Sequence, residues 1–285
     1  MKKYKFLLIL FFIVLSIGCV VFLISAQNQK VESPEASIIN NNSNSNSNIN
    51  SINNNNSSSK VNTEVPRNVL IELFINAECT TCPKAAFCLE ELAWNYEPGR
   101  VILVEEHIWN DGYDIPETNA RYDWYVGEGK KGTPDTFFNG LSERVQGLCC
   151  DCDNVDENIT AYQSIIEKQL ARTSPVEIQA MMEICSGKII IQGSIANRSH
   201  SLLQNLILSG MVYYEGEESE LFYLVKDIFD NQDICQLAPL EVRKFSFVSN
   251  LDLSDIENEE LDKYYGVVFV QERLSKEVLQ SFLIK

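Results

Sequence analysis

Residues 6–25 form an uncharged, largely apolar run behind Lys2, Lys3 and Lys5. At about 1.5 Å per residue this run is long enough for a hydrocarbon core of about 30 Å. Residues 1–26 are therefore expected to be a membrane anchor, with the basic end kept in the cytoplasm, or a signal peptide. From 27–66 apolar side chains become sparse, and Asn and Ser dominate 40–60, which predicts a disordered tether. The apolar pattern then resumes as a strand over Val69–Ile75, a helix over 83–96, a strand over Val101–His107 and a weak helix over 117–126. Strands at 136–139 and 143–146 and a helix over 158–171 follow. The first helix places Leu89, Leu92, Ala93 and Tyr96 at helical spacing and stops at Pro98-Gly99; the last carries Ile159, Tyr162, Ile166 and Leu170. Asn139-Gly140 predicts a hairpin turn between the two short strands. After Ser174-Pro175 the period changes to two, with Val176, Ile178, Ala180, Met182 and Ile184 on one face. Further strands are expected at 188–195, 206–214, 221–229, 241–248, 264–271 and 278–284. The pattern thus predicts an α/β unit of order βαβαββα at 67–173, followed at 174–285 by a separately folding all-β, immunoglobulin-like sandwich.

Cys79-Thr80-Thr81-Cys82-Pro83 lies where the first strand hands over to the first helix. The unpartnered N–H groups and the dipole of a helix start favour a thiolate, so Cys79 is the candidate nucleophile. The spacing lets Cys82 return to the Cys79 sulfur and resolve a mixed disulfide, and Pro83 is tolerated in the first turn. A CxxC also serves as half a zinc site or as a structural bridge. Thr133-Pro134 opens the short strand that the Asn139-Gly140 turn closes. His107 ends the second strand, at the edge where the CxxC opens, and is a candidate to stabilise the thiolate or accept its proton. The alternative for His107 is a hydrogen bond to the following loop. The aromatic residues Trp109, Tyr113, Tyr122, Trp124 and Tyr125 are expected mainly to pack and anchor that loop.

Leu70-Ile71-Glu72-Leu73-Phe74, the CxxCP, His107-Ile108-Trp109-Asn110-Asp111-Gly112-Tyr113-Asp114, and Thr133-Pro134 with Asn139-Gly140 together resemble secreted thioredoxin-like proteins. Among these are outer-membrane-associated proteins that join such a domain to a β-sandwich. The resemblance implies a thioredoxin-like α/β domain, a cis Pro134 facing the CxxC, and a substrate site shaped by Pro134 and the Thr133 backbone. It also sets a difference: Leu73 stands where thioredoxin carries its buried acid, leaving Glu72 or His107 to move the proton of Cys82.

Charge and cysteine usage narrow the function. A net charge of −17 disfavours nucleic acid as a partner, because a polyanion would be repelled. The acids Asp252, Asp255, Glu257, Glu259, Glu260 and Asp262 lack EF-hand spacing and read as a solvated loop, so no metal is assigned there. Nine cysteines fit an oxidising compartment. Cys185 and Cys235, alone in the C-terminal region, are expected to pair as a structural disulfide. Cys149, Cys150 and Cys152 form a tight group whose readings are a staple to Cys88, a disulfide relay with the CxxC, or a metal site. The expectation is a thiol–disulfide oxidoreductase needing no cofactor, outside the cytoplasm on a single-pass anchor or else secreted. Its partners would be protein thiols and disulfides, an unidentified redox partner, and the membrane through the anchor. The alternatives are a non-catalytic binding protein with a structural CxxC and a copper-handling protein of thioredoxin fold.

Overall fold

The computed structural model describes residues 64–149, 154–216 and 222–285. The expected anchor and most of the tether, together with Cys150 and Cys152, lie outside them. No helix among the described residues is long and apolar enough to cross a membrane.

Two adjacent strands organise the N-terminal half. After β1 (Val65–Pro66), β2 (Val69–Ile75) and β3 (Val101–His107) pair in parallel, from Val69 against Val101 to Ile75 against His107. Every residue of both is buried, as an interior parallel pair covered on two faces requires. Between them runs α1 (Cys82–Trp94), and α2 (Pro116–Val126) follows β3. β4 (Asp135–Phe138) returns antiparallel to β2, and β5 (Glu143–Gln146) pairs with β4. Asn139 and Gly140 both take the left-handed φ of a hairpin turn. A Cβ at Gly140 would also collide with the Lys276 carbonyl, so glycine is required twice over there. The helix α3 (Val155–Leu170) closes this half, burying Tyr162 and Ile166 in the same core as Cys88, Leu89 and Leu92 of α1. On the opposite face, Tyr122 and Tyr125 of α2 pack with Phe74 and Phe137.

The chain then becomes strands almost throughout. β6 (Thr173–Ser174), β7 (Val176–Cys185), β8 (Lys188–Asn197), β9 (Leu203–Gln204), β10 (Leu206–Tyr214) and β11 (Leu224–Ile228) come first. β12 (Gln232–Asp233), β13 (Gln236–Leu237), β14 (Val242–Val248), the single-turn α4 (Asn258–Leu261), β15 (Tyr264–Glu272) and β16 (Val278–Ile284) complete it. β7, β8 and β14 make a three-stranded sheet, whereas β16, β15, β10 and β11 run on through β3 into β2, β4 and β5. The junction is a parallel pairing of Leu224 with Glu105. A second core, including Ile189, Ile191, Leu208, Phe247 and Val268, fills the space between the three-stranded sheet and the C-terminal end of the long one.

This corrects the expected architecture. A thioredoxin-like α/β domain joined to a separate immunoglobulin-like sandwich does not describe the chain, because strands dominate it and one nine-stranded sheet crosses the proposed boundary at 173/174. Strands do occupy 176–284, as the alternation predicts, but β10, β11, β15 and β16 belong to the same sheet as β2 and β3. By contact, the described residues form one compact unit.

Polar side chains stitch the two halves together. Arg67, only 2% exposed, donates from Nη1 to Glu277 at 2.7 Å and from Nη2 to the Val278 carbonyl. The Val278 N–H donates to the Asn139 carbonyl at 3.0 Å, and Gln271 Nε2 donates to Tyr125 Oη at 2.8 Å. A chain ending at Arg172 would lose these partners and expose the flank of β3, so it is expected to lack a cooperative melt. A fragment that melts cooperatively and resists protease would contradict that.

Candidate active site

Asn76 to Thr81 form a loop at the C-terminal end of β2, and it places Cys79 and Cys82 in a disulfide with Cα atoms 5.4 Å apart. Cys79 is half-exposed and Cys82 only 3% exposed, so an incoming sulfur reaches Cys79 first. The Cys82 N–H, at the first turn of α1, points at Cys79 Sγ at 3.1 Å. Thr81 Oγ1 lies 3.6 Å from the same sulfur. A helix-terminal donor already aimed at Sγ stabilises the thiolate that reduction would leave on Cys79.

The register of the sheet puts His107 and Pro134 on opposite flanks of this loop. Ile75 pairs with His107 on β3, and Phe74 pairs with Asp135, one residue beyond Pro134, on β4. The Thr133-Pro134 bond is cis. Pro134 is buried at the start of β4 and does not line the pocket beside the disulfide.

That pocket, about 340 Å³ in volume, is bounded by one stripe of α1 (Cys82, Pro83, Ala86, Phe87 and Glu90), by Glu105 and His107 of β3, by Ile75 to Ala77 with Cys79, and by Tyr113. His107 is 4% exposed; its Nδ1 meets Asp111 Oδ2 at 2.6 Å, and its Nε2 has no partner. In a neutral ring the Asp111 bond places the proton on Nδ1 and leaves Nε2 as an acceptor. Asp111 also accepts the N–H groups of Ala77 at 2.9 Å and Tyr113 at 3.0 Å, tying the loop after β3 to the disulfide loop. Burial would raise the Asp111 carboxyl, but these bonds outweigh it, His107 first, and hold it below the usual range. His107 thus makes the hydrogen bond to the following loop that was one of its two expected roles, and it also lines the pocket.

Glu105 is the residue that sequence reasoning missed. It is 1% exposed, and its carboxyl is pushed well above the carboxylate range by burial first, then by the charge of Glu90 and the hydrogen bond they share. Glu90 is raised as well, by burial, with the bond to Glu105 partly offsetting it. The signal was available, since two adjacent acids inside a buried seven-residue strand are costly unless used. Alternation along β3 sends Glu105 and His107 to the disulfide face and Glu106 to the other. Glu72, one of the two expected substitutes for thioredoxin's acid, also faces away, pairing with Arg121 and accepting from Tyr125 Oη at 2.7 Å.

The native state holds the Glu105 proton more tightly than the unfolded chain, so its contribution to stability is full below the ordinary carboxylate pKa of about 4.3 and falls as pH rises toward the folded value. Glu105→Gln is expected to flatten the loss of thermal stability as pH rises above about 4.3, the ordinary carboxylate value. An unaltered slope would reject that placement of the proton.

Cys185 is disulfide-bonded, whereas Cys235 is a free, exposed thiol, so the expected Cys185–Cys235 bridge is not formed. The physical reason is position: Cys185 ends β7 at its hairpin with β8, and Cys235 sits in the connection between β12 and β13. Cys88 is buried in α1, its Sγ 3.9 Å from the Val155 carbonyl, and Cys149 packs against the same core. Among the described residues no group of three or more His, Cys, Asp or Glu is arranged to hold a metal.

No protein-family model matches the sequence, and no curated protein matches it either. Among solved structures the chain is similar to HBP35 of Porphyromonas gingivalis at 16% identity and a TM-score of 0.59, over 77% of this chain and 75% of that one. That share is larger than either side of residue 173 could supply alone, so the likeness, which is one of fold, spans both halves. A domain of the outer membrane lipoprotein Omp28 from Porphyromonas gingivalis matches at 12% identity and a TM-score of 0.31, over 39% of this chain and 88% of that domain. A β-glucuronidase of Bacteroides uniformis matches at 18% identity and a TM-score of 0.28, over 38% of this chain and 12% of the enzyme. These two likenesses are too weak to bear on function.

Proposed function

We propose that the chain is an extracytoplasmic thiol–disulfide oxidoreductase acting on protein thiols and disulfides through Cys79 and Cys82. The observation that carries this reading is the asymmetry of the bond: one sulfur is half-exposed beneath a helix-terminal N–H, and the other is buried in a pocket with protonatable groups. A purely structural bridge needs neither feature.

In the oxidised protein a substrate thiolate attacks Cys79 Sγ. The Cys79–Cys82 bond breaks, a substrate–Cys79 disulfide forms, and Cys82 leaves as a thiolate that takes a proton. Glu105, protonated and lining the same pocket, is the proposed donor. A second substrate thiolate then attacks the substrate sulfur of the mixed disulfide, releasing Cys79 as a thiolate under the Cys82 N–H. The substrate gains a disulfide and the protein becomes a dithiol; the same steps reversed reduce a substrate.

The test is equilibration of the native protein in glutathione redox buffers, followed by alkylation and mass analysis. The expected result is a reversible two-electron transition confined to Cys79 and Cys82, with catalysed exchange on a small disulfide. A bond that resists excess dithiothreitol in the folded protein would reject the enzyme in favour of a structural bridge.

A further inference from the structure

The pocket beside the disulfide presents hydrogen-bond acceptors without cations to meet them. Glu105 Oε1 and His107 Nε2 both lack partners although both side chains are more than nine-tenths buried. They come from one face of β3, and Glu90 of α1 lines the pocket with them. No Lys or Arg among the described residues lines it. With the Glu105 proton in the bond to Glu90, the pair carries one negative charge at Glu90, and the unbonded Glu105 oxygen stays an acceptor. The sides are aromatic and open: Phe87 is 52% exposed and Tyr113 36%.

A planar cation with several N–H donors suits such a space. Its charge would meet Glu90, its N–H groups would reach Glu105 Oε1 and His107 Nε2, and its faces would lie against the rings of Phe87 and Tyr113. An apolar side chain would leave the acceptors unpaired, and an acidic one would add repulsion. Resting on the exchange reading above, we propose that this pocket selects substrate polypeptides by an arginine side chain close to the reacting cysteine. The volume of about 340 Å³ accommodates one such side chain while its cysteine meets Cys79 at the rim. Lysine, with a compact ammonium, satisfies fewer acceptors at once and ranks second.

The test uses the full chain, with Cys79 and Cys82 oxidised, and a set of short peptides in which the residue beside a single cysteine is Arg, Lys, norleucine or Glu. Each rate of Cys79–Cys82 reduction is divided by that peptide's rate with hydroxyethyl disulfide, which removes differences in thiol acidity. The expected ratio of Arg to norleucine is about tenfold or more, with Lys between them and Glu slowest. Glu90→Gln should bring the ratio toward one, whereas Glu91→Gln, an exposed acid on α1 outside the pocket, should not. Equal normalised rates for Arg and norleucine would overturn the proposal. So would an equal loss with Glu91→Gln, which would assign the preference to the overall negative field. If no peptide reduces the bond, the exchange reading itself falls and takes this inference with it; reaction without preference rejects the pocket alone.

Discussion

Replacing Cys82 by serine is expected to arrest exchange at a covalent complex through Cys79, lowering turnover on the order of a hundredfold or more. Cys79 keeps its position below the residue-82 N–H, since that donor is main chain, and so still attacks a substrate disulfide. Without the Cys82 sulfur nothing internal expels the adduct. Cys79→Ser is expected to abolish exchange without an adduct, because the remaining thiol is 3% exposed. Both variants belong in a Cys235→Ser background, as Cys235 is exposed and would react on its own account. Mass analysis after incubation with a cysteine-containing disulfide peptide checks this. Equal adduct yields on Cys79 and Cys82 in the two single variants would remove the division of labour.

Arg121→Met is expected to cost about 3 to 5 kcal/mol of folding stability, the range for stranding a buried charge. Arg121 is buried with Glu72 and lies 3.8 Å from Glu106. The guanidinium sits 4.8 Å from the ring centroids of both Tyr125 and Phe269. Burial opposes its charge, but Glu72, Tyr125 and Glu106 outweigh that and hold it more firmly protonated than usual. Glu106 is driven toward the neutral acid, by burial first and the Glu72 charge second, so the network carries one ion pair rather than two anions. Through Phe269 on β15 and the Gln271–Tyr125 bond it also joins the two halves. Urea denaturation measures the loss, and adding Glu72→Gln should recover part of it because no anion is then stranded. A cost under about 1 kcal/mol for Arg121→Met would mean that the charges are solvated rather than buried.

The placement of the CxxC was legible because it is local. A CxxC at a strand end and a helix start need only a few consecutive residues, and the Cys82 N–H that stabilises Cys79 follows from helix geometry. The Asn139-Gly140 turn was legible for the same reason, as left-handed φ values demand such residues. The proton-bearing acid was not. Glu72, Glu105 and Glu106 all sit in buried strands, and alternation alone separates 105 from 106 without saying which face holds the pocket. Helix α1 decides that by laying its Cys82–Ala86–Glu90 stripe over one face, while α2 brings Arg121 to the other.

The cysteine pairing failed for a related reason. Two thiols sharing a stretch of chain were assigned to each other, but Cys185 lies in a hairpin and Cys235 in an edge connection that the fold keeps apart. By itself the sequence determined the CxxC, the first helices and the positions of most strands, because spacing, period and turn chemistry act over neighbouring residues. Only the tertiary structure decided that the strands after residue 173 extend the sheet of β2 and β3, and that Glu105, Glu90 and His107 enclose one pocket with the disulfide. The reason is that partners distant in the chain are chosen by which faces must be buried together. The pairing of Leu224 with Glu105 leaves no mark in the local pattern of either strand.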